Sequence, residues 1–236
     1  MKQISKKLLL FVLSAFALTV FASAHNQLPP RASHTRNLLN RDIGNIHFDN
    51  AAMPFIFNYA LIHAAVPGGI VDVGGCPNGP KPAYSFALID ARLQDVFEAI
   101  AKRDLLDRWT MENGVANLLP VKGTPALLDT RIGKFDSKDA AIPSEAATLL
   151  AQSPEVERAE ERLGLNNPFH IQLGLGVARK YGSPIPKLAS PLAVRLKDVT
   201  FLDALNALVR AKGRGVWMYR EWHCSANNGY SITFAE

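Results

Sequence analysis

The chain has 236 residues, 48% of them hydrophobic, which is enough to bury the core of one domain or of two small ones and excludes a wholly disordered chain. The formal net charge is +5, but Lys2, Lys6 and Lys7 supply three of the 26 basic residues, and the rest of the chain has 23 basic against 21 acidic groups. An excess of two basic residues is too small to form a positively charged surface for phosphate groups, and we expect no nucleic-acid partner.

Residues 1–24 have the pattern of a secretory signal peptide. The three lysines precede an apolar run from Leu8 to Phe21, and Ala22-Ser23-Ala24 offers the small residues that a signal peptidase accepts. The run is shorter than the roughly 20 residues of a membrane-spanning helix, and an uncleaved anchor is the alternative. We expect cleavage after Ala24, a periplasmic or secreted protein, and no stable membrane span after cleavage.

Two cysteines, Cys76 and Cys224, are interpreted in the light of export. Disulfides persist outside the cytoplasm, and both residues lie in predicted loops. The sequence therefore favours a bridge between them. Two unpaired thiols are the alternative, because a sequence does not give the distance between two side chains.

The first half of the exported chain predicts a lead-in and the start of a small module. Residues 25–45 lack periodicity, which predicts a flexible lead-in, and a first α+β module is predicted over 46–120. Alternating apolar residues from Ile46 predict a strand. Helical spacing after Pro54 predicts a helix, and the run from Ile70 to Val73 predicts a second strand.

The rest of the first module follows the same logic. Alternation from Tyr84 predicts a strand, and an amphipathic pattern from Leu93 predicts a helix, with Asp95 near its positively polarised start. The Asn113-Gly114 pair between two apolar runs predicts a hairpin, because both residues tolerate positive φ.

Residues 121–190 are interpreted as a helical linker region. An Ala- and Leu-rich segment over 143–152 and a charged segment that follows Ser153 and ends at Gly164 both predict helices.

The second α+β module is predicted over 191–236. It contains an alternating strand from Leu192 to Leu196, a helix capped by Thr200 and ended by Gly213, and a hairpin that turns near Asn227-Asn228-Gly229. The predicted fold class is therefore α+β, with two small strand-helix-strand-strand modules joined by a helical segment.

The two modules superpose at an offset of 108 residues, which places Leu93 on Phe201 and Trp109 on Trp217. Few of the matched positions are identical, so the pattern favours an internal repeat, with a shared amphipathic period as the alternative.

The start of each predicted helix carries a short common pattern. The two stretches read Leu93-Gln94-Asp95-Val96-Phe97 and Phe201-Leu202-Asp203-Ala204-Leu205. Each unit resembles the short amino-terminal domain of secretins and TonB-dependent receptors, a module of the bacterial envelope that engages other proteins. The resemblance implies a non-catalytic protein-binding role with another envelope protein as partner, and it brings no catalytic residue to carry over.

Aromatic residues on the matching hairpin strands are the candidate binding residues. Packing in the core is the default for Trp109, Trp217 and Tyr219, and they would form a contact patch if they faced solvent instead.

The runner-up function is an envelope hydrolase whose site would use His170, His223 or Cys224 without forming a sequence motif. Because the chain contains no familiar catalytic or metal-ligand motif, we expect no catalytic residue, no metal and no cofactor. The sequence leaves the oligomeric state open.

Overall fold

This computed structural model describes residues 37–76, 82–138, 140, 142–166, 192–224 and 227–235. The predicted signal peptide, its cleavage site and most of the lead-in lie outside the described residues.

The described part of the chain forms nine strands and five helices. In order they are β1 (Asp42–Ala52), α1 (Met53–His63), β2 (Gly68–Gly74), β3 (Ala83–Arg92), α2 (Leu93–Arg103), β4 (Asp107–Glu112), β5 (Val115–Pro120), β6 (Arg131–Asp136), α3 (Pro143–Ala151), α4 (Pro154–Leu163), β7 (Arg195–Thr200), α5 (Phe201–Lys212), β8 (Val216–His223) and β9 (Asn228–Ala235).

A five-stranded sheet with the order β4-β5-β2-β8-β9 holds the two halves of the chain together. Two antiparallel hairpins, β4-β5 and β8-β9, form its outer parts, and β2 lies between them, parallel to both β5 and β8. In the first hairpin the turn residues Asn113 and Gly114 have φ of 52° and 79°, as the Asn-Gly pair predicts. The hydrogen bonds between β2 and β8 make one sheet of what the sequence presents as two modules.

Each face of this central sheet covers its own hydrophobic core. On β2, Ile70 belongs to one core and Val71 to the other; on β8, Val216 and Trp217 divide in the same way. Successive side chains of a strand point to opposite faces, so apolar runs such as Ile70-Val71 are what a strand covered on both sides requires.

Two further sheets close the outer sides of these cores. The first core lies among α1, α2 and the antiparallel pair β1-β3, and the second lies among α3, α4, α5 and the antiparallel pair β6-β7. Each core is thus enclosed by one face of the five-stranded sheet, by helices and by a two-stranded sheet.

Three strand-to-helix junctions use the same backbone device. Asn50, Asp90 and Asp198 have φ of 51°, 49° and 52°, and each lies three residues before the start of a helix. Asn and Asp are the residues other than glycine that most readily take this left-handed conformation. Asp90 and Asp198 are also related by the offset of 108 residues, so the matched sequence segments have matched backbones at this junction.

Helix ends follow the predicted capping. The backbone N–H of Asp203 donates to the Thr200 hydroxyl at 3.0 Å, and the N–H of Arg92 donates to the Asp95 carboxylate at 2.8 Å. Gly213 ends α5 with φ of 77°. These contacts satisfy backbone groups that a helix terminus otherwise leaves without partners.

The predicted α+β fold class is confirmed, with two differences in the boundaries. Ordered structure begins before 46, because β1 starts at Asp42 and Leu38 is buried. The interpretation of 121–190 as a helical linker is right for α3 and α4 but misses β6, which pairs with β7 and therefore belongs to the second half. Among the described helices, none is both long and apolar enough to cross a membrane.

Candidate functional site

A groove of about 740 Å³ opens at one edge of the central sheet. Its walls include the carboxyl ends of the parallel strands β2, β5 and β8, together with the 104–106 loop that follows α2 and the first residue of β4, Asp107. The carboxyl ends of neighbouring parallel strands are where open sheets commonly bind ligands. The volume lies in the range of about 300–1,000 Å³ that is usual for binding pockets.

Exposed apolar side chains surround the groove. Leu105 is 83% exposed, Leu106 60%, Val121 56% and Val73 42%. These four are the majority of the seven large hydrophobic residues that are exposed in the described part of the chain, and all four line the groove. A cluster of exposed apolar residues typically marks a surface that contacts another molecule.

Carboxylates form the polar part of the same groove. Asp104 is buried, and its Oδ1 accepts a hydrogen bond from the Leu106 N–H at 2.8 Å, which holds the loop in place. Burial, followed by the negative charge and hydrogen bond of Asp104 and the negative charge of Asp72, raises the pKa of Asp107 to about 7. Asp107 therefore exchanges its proton near neutral pH.

Among the described residues that line the groove, two are basic and four are acidic. Arg220 pairs with Asp72, since its Nε lies 3.1 Å from Asp72 Oδ2, and Lys122 is the other base. Once the Arg220–Asp72 pair is set aside, acidic groups still outnumber basic ones. The described lining of the groove thus has more acidic than basic groups, and exposed apolar residues surround it as a rim.

A disulfide between Cys76 and Cys224 closes one side of the groove, and the predicted bridge is confirmed. In the β2–β8 ladder Gly74 lies opposite Trp222. Cys76 follows Gly74 by two residues, and Cys224 follows Trp222 by two residues. The bridge therefore continues the register of two parallel strands, and its Cα atoms are 5.2 Å apart, within the usual range for a disulfide.

Three polar side chains of β8, one of which lines the groove, contact one another. Glu221 accepts a hydrogen bond from the Tyr219 hydroxyl, and its Oε1 lies 2.8 Å from Nε2 of His223. Burial, and then the negative charge of Glu221, raise the pKa of Tyr219. These two contacts hold the carboxylate of Glu221, a lining residue of the groove, in position.

The structure corrects two of the three candidate binding residues. Trp217 and Tyr219 are fully buried in the second core, because β8 is a central strand covered on both faces. The Trp217 Nε1–H donates to Asn206 Oδ1 at 2.9 Å. Both residues are core residues and cannot form a contact patch. Trp109 is half-buried and packs against the first core, with its ring 5.0 Å from that of Phe97.

The described part of the chain contains two of the three residues named for a hydrolase. The Cys224 sulfur is bonded to Cys76 and so is not a free thiol, His223 contacts Glu221, and His170 lies outside the described residues. Among the described residues, no group of three or more His, Cys, Asp or Glu side chains is arranged to hold a metal ion.

Sequence reasoning missed the groove, although one local signal was present. Leu105 and Leu106 follow the last turn of α2 and lie outside the amphipathic pattern of that helix. An apolar pair after a helix end, next to acidic residues, is unusual enough to suggest an exposed contact site. The approach of Asp72 to Asp104 and Asp107 depends on the sheet and leaves no sequence signal.

Comparisons of the chain with protein-family models, with curated proteins and with solved structures found no match.

Proposed function

We propose that this protein is an extracytoplasmic, non-catalytic binding module that holds a segment of another envelope protein in the groove. The observation that carries the proposal is the cluster of exposed apolar side chains, above all Leu105 and Leu106, around a groove at the carboxyl ends of parallel strands. Exposing leucine to water costs free energy, and contact with a partner recovers it.

Two further observations support this proposal. The leader-like residues 1–24 and the bridge between Cys76 and Cys224 are what an exported protein would have. The resemblance of the helix starts at Leu93 and Phe201 to the amino-terminal domain of secretins and TonB-dependent receptors implies the same kind of role.

Photo-crosslinking in the intact cell envelope tests the proposal. Leu105 is replaced by the photoreactive amino acid p-benzoylphenylalanine in the full-length exported chain, and adducts are identified by mass spectrometry. We expect one discrete adduct with an envelope protein, because the side chain at this position would lie against the bound segment.

Ile89 provides a matched control, because it is 81% exposed and does not line the groove. The same substitution there should give no adduct with that partner. Equal crosslinking at positions 89 and 105, or none at 105, would contradict the proposal.

A further inference from the structure

We infer that the groove selects a partner segment that places a lysine or arginine side chain between apolar residues. This inference rests on the proposed function and adds the chemistry of the ligand. In this arrangement the apolar side chains of the ligand contact the exposed apolar residues around the groove. The basic side chain of the ligand contacts the acidic residues of the groove.

The acidic groups supply the first half of the argument. Asp104 and Asp107 lie together where the rim is most apolar, next to Leu105 and Leu106, and Asp72 acts on Asp107 as a further negative charge. Among the described residues that line the groove, Arg220 is paired with Asp72 and Lys122 is the other cation. A cationic side chain from a ligand would offset the repulsion between the carboxylates of Asp104 and Asp107.

The apolar rim supplies the second half. The aliphatic stem of a lysine or arginine can lie along Leu105 and Leu106 while its charged end reaches the carboxylates. Val73 and Val121 are also exposed on the groove, and they can cover the apolar neighbours of that residue. An acidic or purely polar segment would meet like charge or leave the rim exposed.

Proton linkage gives the inference a signature that a merely apolar contact lacks. Asp104, Asp72, Tyr84 and Lys122 face the same groove as Asp107, and Arg220 and Glu221 complete its charged lining. A bound cation favours the ionised form of Asp107, so binding releases a proton. Affinity should therefore rise as the pH increases through about 7, which is where Asp107 titrates.

The test starts from a phage-displayed library of random nonapeptides, selected at pH 8 on the oxidised full-length exported protein. We expect enriched peptides to contain a lysine or arginine with apolar neighbours. For a synthetic copy of one such peptide, glutamine in place of the basic residue should weaken binding roughly tenfold, measured by fluorescence anisotropy. Binding of the unaltered peptide should weaken between pH 8 and pH 6.

Matched variants separate the groove from the rest of the surface. Asp107→Asn, which imitates the protonated carboxyl, should lose about the same tenfold in affinity and most of the pH dependence. Glu112→Gln lies at the other, exposed end of the same strand β4 and should leave binding within roughly twofold of wild type. Thermal melts establish that each variant is folded.

The outcomes distinguish this inference from the proposed function. Enriched peptides that lose binding to the Leu105→Ser variant could carry no basic residue, or could bind the Asp107→Asn variant as well as wild type. Either result would overturn the inference and leave the proposed function standing. If no peptide is enriched on wild type over Leu105→Ser, both fail. Loss of binding in Ile89→Ser as large as in Leu105→Ser would place the contact outside the groove and would also overturn both.

Discussion

Asp107 carries an ionisation cost that the rest of the fold must offset. Its pKa is about 7 in the folded protein, well above the ordinary value of 3.8, because burial and the carboxylates of Asp104 and Asp72 disfavour its charge. Below about pH 4 the side chain is protonated in both the folded and unfolded states and costs nothing. As the pH rises from 4 to 7 the unfolded state loses this proton first, so the free energy of unfolding falls.

Replacing Asp107 by asparagine should therefore stabilise the protein, and most strongly at high pH. Because the side chain is partly exposed, solvent screening reduces the effect, and we expect a gain of about 1–2 kcal/mol at pH 8 that shrinks toward pH 4. Urea unfolding of the Asp107→Asn variant and of wild type at both pH values measures it. If the gain in the free energy of unfolding did not depend on pH, or if the variant were less stable than wild type at pH 8, the ionised carboxylate of Asp107 would not destabilise the folded protein.

A destabilising carboxylate in an exposed groove is characteristic of a binding site. Proteins commonly retain stability costs where function requires them, and substitutions that remove the cost tend to reduce activity. Asp107→Asn should accordingly move two measurements in opposite directions, since it raises stability and lowers affinity for a cationic peptide. A residue with only a structural role would not show this opposition.

At the scale of elements, the three strand-to-helix junctions set the direction in which each helix leaves its strand. The positive φ of Asp90 and Asp198 makes the turn, and the backbone N–H of Asp90 is held by the Asn45 side chain at 2.8 Å. Side chains branched at Cβ clash with the backbone in this conformation, whereas glycine adopts it freely.

The effect of valine and glycine at these two positions tests the shared junction. Asp90→Val and Asp198→Val should each lower the free energy of unfolding by about 1–2 kcal/mol, while Asp90→Gly and Asp198→Gly should change it by less than roughly 0.5 kcal/mol. Denaturant unfolding of the four variants gives the comparison. If valine were tolerated as well as glycine at either position, the left-handed turn would not be needed there.

The sequence predicted those elements whose residues show a regular period. The alternation after Tyr84 and the amphipathic pattern after Leu93 correspond to β3 and α2. Strand β6 was missed because its two buried residues, Ile132 and Phe135, are three positions apart and give no alternation. The groove was missed because it is assembled from the ends of strands that are adjacent only in the folded sheet.

Burial of the aromatic residues on β8 also depended on the fold. Val216 to Tyr219 is a run of four apolar or aromatic residues, the pattern of a strand that is covered on both faces, and β2 joins β8 to the other hairpin so that a core covers each face. The same pairing places Val216 in the first core and Trp217 in the second. The apolar run is thus a local signal that Trp217 and Tyr219 are buried, whereas the identity of the partner strand, about 150 positions earlier, leaves no local pattern in the sequence.

At the scale of the whole molecule, two connections join the halves of the chain next to the groove. One is the β2–β8 ladder, and the other is the disulfide that follows it. The bridge joins Cys76 to Cys224 across a sequence separation of 148 residues. Closing so long a loop restricts the unfolded chain, which on the chain-entropy account stabilises the folded state by about 3–5 kcal/mol.

Replacing both cysteines by serine should lower the free energy of unfolding by about that amount, 3–5 kcal/mol. The double variant should also bind peptide more weakly, because Cys76 and the neighbouring residues Gly74 and Trp222 line the groove. Urea unfolding and fluorescence anisotropy measure the two effects, and wild type reduced with dithiothreitol serves as the control because it should match the double variant. If the double variant binds normally but is less stable, the bridge constrains only the unfolded chain. If it is as stable as oxidised wild type, the β2–β8 ladder alone holds the halves together.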